Sequence, residues 1–156
     1  MTSWLRQAEM ALDRAGHVEA IFGFSFGAMM ALLLAGRKEF AAVIAASPSP
    51  YFRECLPRLP PIAEKMLGKK RMRDFAKFSM TEVNKIKSGR IEILVGSDDF
   101  PPLIAATKKL HRMIADSATL TVIPGAPHDL NDSRYLKAAM KVLRRVTRVK
   151  RGDKLA

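Results

Sequence analysis

Thiols are almost absent from this sequence: Cys55 is the single cysteine among 156 residues. One thiol cannot close an internal disulfide and has no metal-ligand partner at useful spacing, which fits a reducing compartment and points to the cytoplasm. The short cofactor signatures are missing as well. No C-x-x-C, H-E-x-x-H, G-K-[ST] or G-x-G-x-x-G occurs, so no metal and no nucleotide cofactor is expected. A membrane-length apolar run is also lacking. Ala20 to Gly36 carries no charge, and Gly23 and Gly27 stand there in a G-x-x-x-G relation, but the run falls short of the roughly 20 residues that span a bilayer. The stretch before it holds Arg6, Glu9, Asp13, Arg14 and Glu19 at helical spacing, unlike a signal peptide. No membrane span is expected.

Acidic residues are the scarcer charge. Lys and Arg number 27 against 15 Asp and Glu, a formal charge of +12. The excess is local: Arg53 to Arg90 holds eleven basic and four acidic residues, Arg134 to Lys154 nine and one, and the remainder nets −3. No nucleic-acid motif accompanies these segments, so they read as solvated helical faces and nucleic acid is not expected as a partner. A positive field of this kind can still attract an anionic substrate.

What is present is ordinary globular material: 48% hydrophobic residues in a length suited to one domain, 1–156, with a single core. Leu5, Ala8, Leu12 and Ala15 mark an amphipathic helix that opens at Thr2 or Ser3 and ends at Gly16. Val18 to Phe22 reads as a strand, Ala28 to Ala35 as a helix and Ala41 to Ala46 as a second strand. Five of the nine prolines then crowd into Pro48 to Pro61 and exclude either regular element. Two basic helices are expected at Ile62 to Leu67 and Arg71 to Ile86, with Phe75, Phe78 and Met80, like Trp4, in the core. Arg90 to Val95 and Ala118 to Ile123 read as strands. The helix between them opens on Pro101 and Pro102 and buries Leu103, Ala106, Leu110, Met113 and Ile114. The final helix is capped by Asp132 or Ser133, with Leu136, Met140, Leu143 and Val146 on its apolar side. Strand and helix thus alternate, which implies an α/β fold: a parallel sheet of about four strands with helices on both faces.

Within that frame one stretch carries chemistry. Gly23-Phe24-Ser25-Phe26-Gly27 leaves a strand and enters a helix, the context of a nucleophile elbow in which glycines let strand and helix approach while the serine oxygen is lifted out. In a parallel sheet the segments beyond the carboxyl ends of the strands converge on one edge. Ser25, Asp99 and His128 all lie there, each after a different strand. A serine hydroxyl becomes a competent nucleophile when an imidazole takes its proton, and a carboxylate fixes the imidazole's tautomer. His17 and His111, isolated in or beside helices, read as surface residues.

With GFSFG followed by AMMALLLA, VGSDDFPPL after the penultimate strand and VIPGAPHDL after the last, the chain resembles an α/β-hydrolase fold serine hydrolase, an esterase or thioesterase, over the second half of that fold. The resemblance implies a Ser25-His128-Asp99 triad, with Asp98 as the alternative acid, and an oxyanion donor at the N–H of Phe26. It also implies a cap or lid insertion at 48–88. The strands and H-G loop that precede the nucleophile helix in the family are not matched, so this reads as a truncated α/β-hydrolase fold with its second oxyanion donor unassigned. The expected substrate is a small-molecule ester, thioester or similar acyl compound, with anionic ones among the candidates. The alternative is a truncated or pseudo-hydrolase serving as a binding module for anionic partners. An uncovered edge on the strand that carries Ser25 predicts a homodimer.

Overall fold

A computed structural model describes residues 1–152 of the chain; the last two positions of the basic tail, 153 and 154, lie outside them. Four parallel strands, β1 (Ala20–Phe24), β2 (Ala42–Ala46), β3 (Arg90–Gly96) and β4 (Ala118–Ile123), form one sheet in the order β1-β2-β3-β4. Sequence neighbours are therefore sheet neighbours, as short right-handed crossovers favour. The helices are α1 (Thr2–Ala15), α2 (Phe26–Ala35), α3 (Pro61–Leu67), α4 (Lys69–Phe75), α5 (Pro101–Met113) and α6 (Ser133–Gly152). No described helix is long and apolar enough to cross a membrane.

Side-chain alternation divides the core between the two faces of the sheet. Val43, Ala45, Ile91 and Ile93 point into the cluster built with α1, α2 and α5, whereas Ile44, Ala46, Leu94 and Ile123 point into the one closed by α6. Every residue of α2 from Ala28 to Ala35 is buried, as expected for a helix that is apolar all round. It lies against the first two strands beneath α1, to which Arg37 and Lys38 tie it through Glu9 and Asp13.

The expected elements are all present, with informative shifts. The first strand runs two residues later than expected, because its ladder with β2 continues to Ser25, whose N–H donates to the Ala46 carbonyl at 2.8 Å. The helix expected over Arg71 to Ile86 is two pieces. α4 stops at Phe75, and a 3-10 helix, Met80–Lys85, restarts behind a capping box in which Ser79 and Glu82 exchange bonds with each other's backbone. Phe75, Phe78 and Met80 are buried, but Trp4 is 39% exposed and meets Phe26 edge-on. On α6 the buried stripe is Tyr135, Ala139 and Val142, with Leu143 and Val146 packed beside it, while Leu136 and Met140 are 45% and 46% exposed. The helix lies over β2 to β4, so the flank facing away from them stays in the open. A charge also holds it there: Arg145 reaches the buried Glu92 of β3 at 2.5 Å.

Candidate active site

Ser25 sits at the turn between β1 and α2 with φ 54° and ψ −117°, a region that non-glycine residues occupy at about 1–3 kcal/mol of strain and mostly at functional sites. Its carbonyl accepts the N–H groups of Ala28, Met29 and Ser49 at 3.1–3.2 Å, so the strained residue is held from both α2 and the loop after β2. The close approach falls on Gly23, where a Cβ would stand 2.2 Å from the Gly27 carbonyl oxygen; a Cβ on Gly27 itself would meet nothing within 4 Å. The first N–H groups of α2, Phe26 among them, have no intrahelical acceptor and lie at the positive helix end beside Ser25.

His128 and Asp99 arrive from the ends of β4 and β3. Gly96 lets the loop at 124–128 close over β3, since a Cβ there would stand 2.1 Å from the Ala126 carbonyl oxygen. The N–H groups of Ser97 and Asp98 then donate to Ile123 and Ala126. In this arrangement His128 Nε2 is 2.8 Å from Ser25 Oγ, and Nδ1 is 2.9 and 3.1 Å from the two carboxylate oxygens of Asp99. Asp99, an acceptor, takes the Nδ1 hydrogen, which leaves Nε2 to accept the Ser25 hydroxyl hydrogen. The rings of Phe24 and Phe100 flank the imidazole at 4.9 and 5.5 Å.

Asp99 is 5% exposed. Burial pushes its carboxyl up, but hydrogen bonds from His128, Ser47 and the Phe100 N–H outweigh that and hold it below the usual carboxylate value. Asp98 does not take part: it is exposed, and its carboxylate accepts from the Ser97 hydroxyl at 2.9 Å.

Compared with known proteins, the chain matches no protein-family model and no curated protein sequence, but it superposes on many solved structures. A monoacylglycerol lipase from Paleococcus ferrophilus matches 93% of this chain and 74% of its own, with a TM-score of 0.72 and 15% identity. Est1E from Butyrivibrio proteoclasticus matches 92% and 69% at 0.75 and 18% identity. The Pyrococcus furiosus esterase Pf2001 matches 83% and 53% at 0.59 and 18% identity. The chain has the α/β-hydrolase fold.

In this α/β-hydrolase fold the site opens onto a cavity of about 320 Å³. Ser25 and His128 border it together with the apolar side chains of Leu59, Ile62, Met66, Leu67 and Leu103, and no Asp, Glu, Lys or Arg lines it. A larger cavity lies elsewhere. About 1190 Å³ lies between α1 and α4, bordered by Arg6, Lys70, Arg71, Arg73 and Lys77, and it does not reach Ser25. Among the described residues no group of three or more His, Cys, Asp or Glu is placed to hold a metal ion. His17 is exposed, whereas His111 is half-buried with Nε2 3.2 Å from the Ala118 carbonyl.

Three residues of the site escape the sequence reading. Ser47, with φ 45°, donates to Asp99 and meets the Tyr135 hydroxyl at 2.6 Å; Ser49 Oγ lies 3.3 Å from Ser25 Oγ. The available signal was position: Ser47 and Ser49 follow β2 on the same sheet edge as Ser25, Asp99 and His128.

Proposed function

We propose that the chain is a serine hydrolase that cleaves an ester or similar acyl bond through an acyl-enzyme on Ser25. The observation that carries this reading is the continuous line of hydrogen bonds from Ser25 Oγ through His128 to Asp99 at the mouth of an apolar cavity. Ser25 Oγ attacks the acyl carbonyl carbon as His128 Nε2 takes its proton, and the Asp99 carboxylate stabilises the imidazolium so formed. The carbonyl oxygen becomes negative against the Phe26 N–H and the α2 N-terminus. His128 then returns the proton to the departing group, and a water activated by the same nitrogen releases the acid.

The wall of the cavity favours an uncharged acyl or alcohol group. At the roughly 30 Å³ that a water-sized group takes up in a liquid, about 320 Å³ admits on the order of ten heavy atoms. Residues 48–88, which contribute Leu59, Ile62, Met66 and Leu67 to that wall, act as the cap. A second reading, binding of an anionic partner, has its own support in the basic cavity between α1 and α4.

A fluorophosphonate probe tests the first reading. It should label Ser25 and fail on Ser25→Ala, and Ser25→Ala should abolish hydrolysis of a p-nitrophenyl ester. Equal labelling of both proteins would remove the hydrolase and leave the anion-binding module.

A further inference from the structure

We propose that Ser49 is a catalytic residue whose hydroxyl donates to the oxyanion formed when Ser25 attacks, beside the N–H of Phe26. The proposal rests on the reading of Ser25 as the nucleophile. Its starting point is the 3.3 Å contact between the Oγ atoms of Ser49 and Ser25. A serine hydroxyl has one hydrogen, and that of Ser25 is directed at His128 Nε2, 2.8 Å away. The hydrogen in the Ser49 contact therefore belongs to Ser49 and points at the nucleophile.

The donor is held in place. Ser49 is 4% exposed, borders the apolar cavity and donates its backbone N–H to the Ser25 carbonyl at 3.1 Å. Pro48 and Pro50 on either side restrict the loop's backbone. A buried hydroxyl, fixed before substrate arrives, is the kind of dipole that stabilises developing charge without reorganising at the moment of reaction.

As Ser25 Oγ bonds to the carbonyl carbon, the π pair of the C=O moves onto the carbonyl oxygen and the Oγ proton passes to His128. That oxygen and Oγ are then two substituents of one tetrahedral carbon, closer together than any hydrogen-bonded pair. A hydroxyl that already reaches Oγ comes within reach of the oxyanion by rotation about its own Cβ–Oγ bond. Before attack it meets a neutral hydroxyl and afterwards a full negative charge, so the interaction strengthens in the transition state and acts on kcat. It is also a side chain of this chain, reached through the loop after β2, and it adds to whatever backbone donors the site holds.

The test compares the full chain with Ser25→Ala, Ser49→Ala and Ser49→Cys on p-nitrophenyl butyrate and on a fluorophosphonate, with thermal melting of each. Cysteine keeps the side chain's shape but donates weakly. Both Ser49 variants should melt near the parent and lose about 10²–10³ in kcat, as for removal of one oxyanion donor. KM should stay within about threefold, and fluorophosphonate labelling should slow in parallel. A kcat within about threefold of the parent, a loss confined to KM, or unfolding of both variants would overturn the assignment. If instead Ser25→Ala turns over ester as fast as the parent, the nucleophile reading fails first and Ser49 falls with it.

Discussion

The Ser47 hydroxyl donates to Asp99 Oδ2 at 2.5 Å, while the Tyr135 hydroxyl stands 2.6 Å from the same Ser47 oxygen. With its hydrogen given to the carboxylate, Ser47 accepts from Tyr135. A relay of two hydroxyls thus supports the carboxylate at Oδ2, alongside His128. Tyr135 and Ser47 are fully buried, and burial, with Asp99 nearby, pushes the tyrosine's phenol up to about 12, so it remains a donor at any physiological pH.

Breaking that relay should be measurable at either end. Tyr135→Phe leaves the Ser47 oxygen without its donor, at about 1–3 kcal/mol of folding stability. Ser47→Ala removes a bond to a charged group and should cost about 1.5–3 kcal/mol. Urea unfolding at neutral pH checks both. A Ser47→Ala protein as stable as the parent would mean that this contact contributes nothing.

Asn at Asp99 and at Asp98 should separate the two candidate acids. Asp99→Asn reverses the hydrogen-bond demand on His128 Nδ1 and should lower ester turnover by about 10⁴, the scale of a wrong-tautomer effect. Asp98→Asn alters the Ser97 contact and the charge facing Arg134, neither of which reaches His128, and should leave turnover near the parent. The opposite ranking would reassign the acid.

The same carboxylate gives a pH signature. Its pKa in the fold lies below the ordinary value, so its contribution to stability is present above the ordinary carboxylate pKa of about 3.9 and is lost as pH falls through the lower, folded value. The stability difference between parent and Asp99→Asn should therefore shrink as pH drops below about 4. Urea midpoints from pH 7 downward test this. A difference that stays constant would show that Asp99 titrates alike in folded and unfolded chains.

The elements and the positions of Ser25, Asp99 and His128 were legible because they are local patterns: apolar runs of strand length, glycine beside serine, and polar residues just past strand ends. The break after Phe75 was not, since it depends on Ser79 capping a new turn and on Glu54, distant in sequence, meeting Ser79. Ser47 and Tyr135 lie 88 residues apart, and only the folded sheet edge brings them to Asp99. On α6 the expected stripe holds at Leu143 and Val146 but is off by one position at Leu136 and Met140, because which flank is buried depends on how far the helix reaches across the sheet. The periodicity of α6 alone does not contain that information.

The two elbow glycines should behave differently. Gly23→Ala drives a Cβ to 2.2 Å from backbone at Gly27, a clash no rotamer relieves, and should destabilise by about 3 kcal/mol or more. Gly27→Ala has open space in the first turn of a helix and should gain up to about 1 kcal/mol. Thermal melts rank them, and equal effects would mean that the turn relaxes around Gly23.

The open edge of β1 should pair with a second copy of this chain. Ser25 gives its N–H, and Glu19 its carbonyl, to the β2 side of the strand. In a parallel ladder alternate residues face the same neighbour, so the N–H and C=O of Ala20, Phe22 and Phe24 point to the other side, where among the described residues no strand lies. The edge carries no lysine or proline to blunt it, and Phe22 is 40% exposed, which together make a template for another strand. Two copies meeting there across a two-fold axis would close the edge in the commonest oligomer symmetry. Light scattering at low micromolar concentration should report a dimer. Phe22→Pro removes an N–H from the open side and no rung of the β1–β2 ladder, so it should give a folded monomer, and Phe22→Lys should act the same way through charge. A parent that is monomeric, with slow amide exchange at Phe22 and Phe24, would show that the edge is covered without a second chain.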